Sequence, residues 1–265
     1  MIAEHFGWTT DPFDRDIPVD SLVSFHAHSE VTARLLFAAE HRQLALVTGD
    51  TGMGKTTAVR AAMHRLDSAR YRPIYVASAG LTSQTLLRIL LERLHIEPRF
   101  RYSDNHALVQ AALEDSHASG QQVVFVIDEA HDLNPLLLGQ LRYLLNFRTD
   151  SFSPLSLWLV GQTELRETLR LRVLTPLSQR IEMRYAMTPM TVEELSFYMK
   201  EQLLRVGEER MVFAADAVAQ IAKLSKGVPR VVNSICKAAL LNVAMQGEQV
   251  VGVTNVESAW LEVNG

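Results

Sequence analysis

Residues 49–56 are Gly49-Asp50-Thr51-Gly52-Met53-Gly54-Lys55-Thr56, which fits the phosphate-loop pattern G-x-x-x-x-G-K-[ST]. The apolar residues 44–48 before the loop predict a buried strand, and residues 56–66 after it predict a helix. Phosphates would lie at the N-terminus of that helix, where main-chain N–H groups and the helix dipole favour negative charge. The alternative is a plain glycine turn between a strand and a helix. The flanking strand and helix favour the phosphate loop.

The residues of this loop have separate predicted roles. Its three glycines let the backbone take positive φ and approach a ligand closely. Lys55 adds a point charge at the β- and γ-phosphates, and the Thr56 hydroxyl completes a Mg²⁺ shell. The predicted nucleotide-binding residues of this segment are Gly49, Asp50, Thr51, Gly52, Met53, Gly54, Lys55, Thr56 and Thr57.

The composition is that of a globular chain with an ordinary surface. Its 265 residues are 48% hydrophobic, enough for one large domain or for a large domain and a small one. A net charge of −4 argues against a surface coated in basic groups, so any nucleic-acid binding must be local or shared among many subunits. No apolar run approaches the ~18 residues of a membrane span, and residues 1–6 lack the features of a secretory signal. We therefore expect a cytoplasmic protein without a membrane partner.

Strand and helix patterns alternate as far as residue 187, which predicts an α/β fold with a parallel sheet and helices on both faces. Residues 123–127 are apolar throughout, as expected of a central strand buried on both sides. The predicted strands are 44–48, 73–77, 123–127, 155–160 and 181–185, and the predicted helices are 28–40, 55–66, 82–94, 105–117, 134–147 and 164–170.

The pattern changes near residue 187, because only helical periodicity follows it. Thr191 and Glu194 form a capping box at the first of these helices. We expect three parts: an extended N-terminal arm (1–27), an α/β nucleotide-binding domain (28–187) and a small helical lid domain (188–265). The predicted helices of the lid are 191–206, 214–225, 228–246 and 254–262.

The buried strand 123–127 ends in Asp128-Glu129-Ala130-His131. Asp128 is placed to hold Mg²⁺ through a water, and Glu129 can polarise an attacking water. This second acid indicates ATP hydrolysis rather than binding alone, although two carboxylates that keep a strand end soluble are the alternative. His131 has two interpretations, a loop histidine bonded to the backbone or a relay to the γ-phosphate.

The same four residues occur in nucleic-acid helicases, which carry two stacked nucleotide-binding-type domains. Only residues 188–265 follow the first predicted domain here, and their pattern is helical. A helicase is therefore not expected.

Three further segments resemble motifs of the AAA+ ATPases. Residues 157–162 resemble the strand that ends in a polar sensor, which would place Gln162 to contact the γ-phosphate or to orient water. Residues 227–230, Gly-Val-Pro-Arg, resemble the second-sensor motif of the ExeA, RuvB and Cdc6 groups. This resemblance implies that Arg230 touches the nucleotide of its own subunit. A strand-end amide and a solubilising charge at a helix start are the plainer alternatives.

Residues 177–181 resemble the clamp-loader and ExeA-type motif that carries an arginine finger. The resemblance makes Arg180 the expected finger, inserted into the site of a neighbouring subunit. A surface ion pair is the alternative interpretation, and the competing arginines are Arg170, Arg172 and Arg184.

The resemblance to ExeA-like ATPases covers nearly the whole chain. Phe6-Gly7 followed by Pro12-Phe13 resembles their N-terminal signature, and residues 161–165 resemble their sensor segment, which more often has Pro where Thr163 stands. In relatives the arm and a following loop lie beside the adenine, which implies that His26 and the backbone near Phe25 contact the base.

The resemblance implies an ATPase that uses ATP and Mg²⁺ and acts as an oligomer, because Arg180 cannot reach its own γ-phosphate. ExeA-like secretion ATPases continue into a membrane span and a wall-binding region, whereas this chain ends at Gly265. Its layout resembles transposition regulators of the TnsC, TniB and MuB kind. That resemblance implies a ring or helical filament on double-stranded DNA, recruitment and stimulation of a transposase, and disassembly driven by hydrolysis.

A short basic and aromatic segment, residues 98–102, lies between two predicted helices, where related ATPases direct loops into a central pore. Two more arginines flank the helix after Asp128. Side chains of this kind position a DNA backbone without reading its sequence, and a solvated loop with ordinary ion pairs is the alternative. The expected DNA contacts are Arg99, Arg101, Tyr102, Arg142 and Arg148.

Two other classes of function stay open. A secretion or envelope-assembly ATPase would have membrane or wall partners in place of DNA. A nucleotide-dependent scaffold would bind ATP without turning it over.

Overall fold

A computed structural model describes residues 1–78, 80–147 and 152–264 of the chain. It divides into two compact units. The first comprises Met1–Ser29, Thr51–Gly54 and Thr188–Gly265, and the second comprises Glu30–Asp50 and Lys55–Met187.

The second unit is built on a five-stranded parallel sheet with the strand order β2-β3-β4-β1-β5. Every predicted strand is present, and β1, β3 and β4 are buried along their whole length. The apolar sequence of residues 123–127 therefore corresponds to a central strand, as predicted. The strands are β1 (Leu44–Thr48), β2 (Tyr71–Ala77), β3 (Gln122–Asp128), β4 (Leu155–Gly161) and β5 (Ile181–Ala186).

The described residues form twelve α-helices, and those of the second unit cover the sheet. Leucines of α4, α5 and α6 pack with alternate residues of β3 and β4 in one large apolar core. None of the helices in the described ranges combines the length and the apolar character that crossing a bilayer requires. The helices are α1 (Ile2–Phe6), α2 (His26–Glu40), α3 (Lys55–Arg65), α4 (Ser83–Arg93), α5 (Tyr102–Ala118), α6 (Pro135–Leu145), α7 (Glu164–Thr168), α8 (Thr175–Ser178), α9 (Val192–Arg205), α10 (Ala215–Ser225), α11 (Pro229–Gln246) and α12 (Val253–Asn264).

The first unit is helical, as the sequence predicts for residues after 187. The capping box at the start of α9 is present, with the Thr191 hydroxyl accepting from the Glu194 N–H and the Glu194 carboxylate accepting from the Thr191 N–H. Cys236 is fully buried in α11.

The N-terminal segment was predicted to be extended, but it begins with the short helix α1. The apolar side chains of Ile2, Phe6 and Trp8 are buried, and burial of these side chains favours the folded turn over an extended arm. The Trp8 indole N–H donates to the buried Glu208 carboxylate at 3.0 Å.

Candidate functional site

Three predicted site segments of the second unit follow neighbouring strands. β4 lies between β3 and β1, so Asp128, Gln162 and Gly49 stand at or just after the carboxyl ends of adjacent parallel strands. Carboxyl ends of parallel strands share one edge of a sheet, and this edge is where α/β proteins place their ligands.

Asp128 is the most connected residue of this edge, and only 1% of it is exposed. Its Oδ2 accepts from the Thr56 hydroxyl at 2.7 Å and from the Tyr75 hydroxyl at 2.8 Å. Its Oδ1 accepts from the Glu129 N–H at 2.8 Å. Burial, followed by the bond to Asp128, raises the pKa of Tyr75, so the phenol stays a proton donor. The carboxylate is therefore held in one orientation beside Thr56.

Lys55 begins α3 and is almost entirely buried. Its ammonium group donates to the carbonyl oxygens of Gly49 at 2.7 Å and Asp50 at 3.0 Å. The Asp50 carboxylate in turn accepts from the Thr163 hydroxyl at 2.5 Å. Thr163, the position at which this chain departs from the ExeA-like pattern, therefore has a local role in fixing Asp50.

One glycine of the loop has a different role from the one predicted. Gly49 does not take a positive φ, whereas Gly52 and Gly54 do, at 85° and 82°. A Cβ at Gly49 would lie 3.1 Å from the Cβ of Met187. Glycine is favoured at position 49 because the backbone runs close to Met187, and not because of its conformation.

Glu129 directly follows β3 and has a positive φ of 53°. Its carbonyl oxygen accepts a hydrogen bond from the Ser78 hydroxyl. Its Oε2 atom is buried and has no hydrogen-bond partner among the described residues. The ring of His131 lies nearby, with its Nδ1 3.4 Å from that oxygen. An unpaired carboxylate oxygen is suited to accept a proton from water.

Gln162 follows β4 and contacts His131 through two groups. Its N–H donates to Nδ1 of the ring at 3.3 Å, and its side-chain amide lies 2.8 Å from Nε2. His131 thus accepts from the backbone, as the plainer interpretation of this residue predicted, and also contacts a side chain.

The predicted second sensor lies in the first unit, which also contains Thr51–Gly54 of the phosphate loop. Arg230 stands in the first turn of α11, and its N–H donates to the Gly52 carbonyl at 3.1 Å. A Cβ at Gly52 would lie 2.9 Å from the Cβ of Arg230. Arg230 is therefore held beside the loop by backbone contact, which supports the role that the resemblance implies.

A histidine that the prediction did not select also packs on this part of the loop. His28 is buried, its ring lies 4.1 Å from the ring of Phe25, and its Nε2 has no hydrogen-bond partner among the described residues. Burial lowers its pKa to about 4, so the ring is neutral near pH 7. His26, the predicted base contact, is exposed, and its N–H donates to the Glu194 carboxylate at 3.0 Å.

The predicted arginine finger lies far from Lys55 within the second unit. Ile181 pairs with Leu44 at the start of β1, so Arg180 stands at the amino edge of the sheet, whereas the phosphate loop follows the carboxyl end of β1. The five residues of β1 span roughly 15 Å at about 3.3 Å per residue. Arg180 lines an open cavity of about 520 Å³ together with Arg42, Gln179 and Glu182.

The competing arginines differ from Arg180 in their surroundings. The Arg184 guanidinium donates to the carbonyl and hydroxyl oxygens of Ser178. Burial, with a smaller contribution from Arg166, lowers its pKa. Arg170 and Arg172 are exposed beside α7 and at the start of a short 3₁₀ helix.

Three of the candidate DNA contacts, Arg99, Arg101 and Tyr102, are exposed near the start of α5. The backbone of Arg99 is fixed by the buried side chain of Asn105, which accepts from its N–H at 2.6 Å and donates to its carbonyl at 3.0 Å. The next residue, Phe100, is 92% exposed, Arg101 is also exposed, and Tyr102 begins α5.

The prediction that Arg142 flanks a helix is wrong, because it lies inside α6. Its guanidinium lies 4.8 Å from the centre of the Tyr143 ring and donates to the Tyr143 hydroxyl at 2.8 Å. Arg148 lies outside the described residues.

The sequence prediction missed Tyr75, Ser78 and the bonding role of Thr163 in the second unit, and His28 in the first unit. Tyr75 and Ser78 lie at the end of β2, and the pairing of β2 with β3 brings them to Asp128 and Glu129. The sequence shows polar residues at the end of β2, but it does not show that β2 pairs with β3. His28 could have been noticed as a histidine on an otherwise apolar helical face.

The residues present fit a nucleotide phosphate and Mg²⁺ by their chemistry. The ammonium group of Lys55 and the N–H groups at the start of α3 are donors for phosphate oxygens. Thr56 and Asp128 are hard oxygen ligands of the kind that Mg²⁺ prefers. Thr57 lies in the first turn of the same helix.

Comparisons with known proteins agree with this chemistry. The family model described as AAA domain matches residues 38–169. General secretion pathway protein A of Aeromonas hydrophila is 29% identical over 272 residues, and the match takes in the whole of this chain and 49% of that protein. This chain thus spans about half the length of that relative.

Two solved structures show the same fold. Cdc6p from Pyrobaculum aerophilum matches with a TM-score of 0.78 and 15% identity, over 97% of this chain and 72% of that one. The Aeropyrum pernix ORC1 protein in complex with DNA matches with a TM-score of 0.68 and 19% identity, over 93% of this chain and 68% of that one. The predicted P-loop AAA+ sheet followed by a helical region is confirmed, and the chain is similar to an ExeA-type secretion ATPase. The comparisons favour the ExeA-type alternative over the predicted transposition regulator.

The contact between Gly54 and His28 predicts the effect of a single methyl group. We expect Gly54→Ala to weaken nucleotide binding at least about 10-fold, because its Cβ would collide with the His28 ring and displace the loop. Gly120→Ala is the matched control, since Gly120 has a similar φ of 79° and nothing lies within 4 Å of its Cβ position.

Both alanines share the cost of the left-handed conformation, about 1–2 kcal/mol, so stability should fall similarly in the two variants. The measurement is titration with a fluorescent ADP analogue, with thermal unfolding as the check on folding. Equal affinity in the two variants would contradict the proposed importance of the His28 contact.

Proposed function

We propose that this ATPase hydrolyses ATP as an oligomer with composite sites, and that it serves an ExeA-type secretion or envelope-assembly process. The observation that supports the hydrolytic part is the buried Oε2 of Glu129, which has no hydrogen-bond partner among the described residues. The backbone N–H of the same residue donates to the fixed carboxylate of Asp128. A scaffold that only binds ATP has no need for this second acid.

Residues 49–57 bind the triphosphate in this proposal, with Lys55 on the β- and γ-phosphates. Thr56 and Asp128 hold Mg²⁺, which when bound neutralises phosphate charge. Glu129 accepts a proton from the attacking water, whose oxygen bonds to the γ-phosphorus as the bond to the β-phosphate oxygen breaks. Gln162 orients that water, and Arg230 keeps its role as the second sensor.

The arginine finger comes from a neighbouring subunit in this proposal. The position of Arg180 at the amino edge of the sheet supports this, because an arginine side chain is too short to span the roughly 15 Å of β1 and reach Lys55. Each subunit would therefore supply Arg180 to the nucleotide of another, which requires a head-to-tail ring or filament.

The 29% identity to General secretion pathway protein A, along the whole of this chain, supports the secretion assignment. Membrane or wall components are then the expected partners, and the ATPase itself acts in the cytoplasm, where ATP is supplied. The division into an arm (1–27), an AAA+ domain (28–187) and a lid (188–265) belongs to the same proposal.

Replacement of Glu129 by Gln tests whether Glu129 is the base for ATP hydrolysis. We expect Glu129→Gln to lower kcat at least about 100-fold, because an amide cannot take the proton from water, and to change nucleotide affinity less than about 3-fold. Phosphate release and binding of a fluorescent ATP analogue measure the two quantities. Glu164→Gln is the control, because it makes the same chemical change in an exposed acid at the start of α7. Unchanged turnover in Glu129→Gln would refute the assigned base.

A DNA-bound transposition regulator is the second candidate. The exposed Phe100 between Arg99 and Arg101, on a loop fixed by Asn105, favours it, since exposed arginines and an aromatic ring are suited to a nucleic-acid backbone. The likeness in fold to an ORC1 protein in complex with DNA is consistent with it. Double-stranded DNA and a transposase would then be the partners.

A binding experiment separates the two candidates. If the protein binds DNA through this segment, Arg99→Ala/Arg101→Ala should weaken binding to a labelled duplex in the presence of a non-hydrolysable ATP analogue. The slope of log K against log salt should also fall by about 1.8, because each lost phosphate contact removes about 0.9. Fluorescence anisotropy across a salt series measures both.

Arg88→Ala/Arg93→Ala is the matched control, since both arginines are exposed on α4. Absence of duplex binding by the wild-type protein at about 50 mM salt would exclude the second candidate. Co-purification with envelope proteins would then support the first.

A further inference from the structure

The ring of His131 lies between two residues of the proposed hydrolytic site. Its Nδ1 is 3.4 Å from Oε2 of Glu129 on one side, and its Nε2 is 2.8 Å from the side-chain amide of Gln162 on the other. The side chain of His131 is only 16% exposed, so the ring cannot move far without displacing one of these neighbours.

Gln162 holds the ring twice, since its main-chain N–H also donates to Nδ1 at 3.3 Å. The residue before it makes this approach possible. A Cβ at Gly161 would lie 3.1 Å from the His131 backbone nitrogen and 3.5 Å from Nδ1. The tighter contacts of such a Cβ are with the Leu165 side chain, at 2.9 Å, and with the His131 backbone. Glycine at position 161 therefore lets the His131 backbone lie close to the end of β4, where both ring nitrogens contact Gln162.

The hydrogen bonds indicate which ring nitrogen carries the proton. Nδ1 accepts the Gln162 N–H, so its lone pair points there and the proton sits on Nε2. Nε2 then donates to the Gln162 side chain, with the amide turned so that its carbonyl oxygen faces the ring. In this tautomer Nδ1 has no proton to give to Glu129. Oε2 of Glu129 therefore keeps its lone pairs for a water, although the ring packs against it.

We propose that His131 is a positioning residue that couples Gln162 to the Glu129 carboxylate, so that a displacement of Gln162 at the end of β4 repositions the base. The proposal rests on the proposed hydrolytic function. It assigns His131 no contact with the nucleotide. It therefore predicts that loss of the ring nitrogens slows turnover and leaves nucleotide affinity unchanged.

Two variants separate hydrogen bonding from packing. His131→Phe keeps a ring of similar size without nitrogens, and we expect kcat to fall about 10- to 100-fold while nucleotide affinity changes less than about 3-fold. His131→Asn places an acceptor near the position of Nδ1 and should recover part of that loss. Steady-state phosphate release, binding of a fluorescent ADP analogue and thermal unfolding give the three readouts.

Further variants keep the test decisive. His131→Gln places its acceptor near Nε2 instead, so it should stay slow even if His131→Phe does not fold. Asp132→Asn is the control, because Asp132 is largely exposed and its Oδ1 lies 3.6 Å from Nε2. Combined with Gln162→Ala, His131→Phe should add little further loss, since each change breaks the same link.

The outcomes distinguish this inference from the function on which it rests. A wild-type protein without turnover would overturn both. Normal turnover in the wild type together with unimpaired turnover in His131→Phe would overturn the role of His131 alone. Fully additive effects of His131→Phe and Gln162→Ala would also overturn the coupling, because independent residues add their effects.

Discussion

The hydrogen bond from the Thr56 hydroxyl to the Asp128 carboxylate, at 2.7 Å, is the contact on which the rest of the site depends. It joins the start of α3 to the end of β3, two elements that are 72 residues apart in sequence. Asp128 is buried, so its charge is stable only with several donors, and Tyr75 and the Glu129 N–H supply two more. The oxygens proposed to bind Mg²⁺ and the backbone of the proposed base are thereby fixed relative to one another.

Much of this arrangement could be predicted from the sequence because local patterns encode it. The loop at 49–56, the apolar strand before Asp128 and the capping box at Thr191 each specify their own backbone, and the structure confirms all three elements. The contacts of Tyr75 and Ser78 could not be predicted, because they arise only once β2 pairs with β3. The role of Gly49 was predicted wrongly for a similar reason, since a pattern shows a glycine but not the Met187 beside it.

The position of Arg180 gives the proposed site its dependence on assembly. Lys55, Asp128, Glu129 and Gln162 stand at the carboxyl edge of one sheet, whereas Arg180 stands at the amino edge. In the proposed function Arg180 therefore acts on the nucleotide of another subunit. The rate of hydrolysis then depends on whether subunits have assembled. Such a dependence suits either a secretion process or a DNA-bound filament.

The most direct test of this central claim mixes two inactive variants. Lys55→Ala cannot use its own phosphate loop but still presents Arg180, whereas Arg180→Ala has an intact loop. Each variant alone should show almost no phosphate release, and an equal mixture should recover up to about one quarter of wild-type turnover, the fraction of interfaces that pair the two intact halves. A mixture as inactive as its components, or an Arg180→Ala variant that is active alone, would contradict the account.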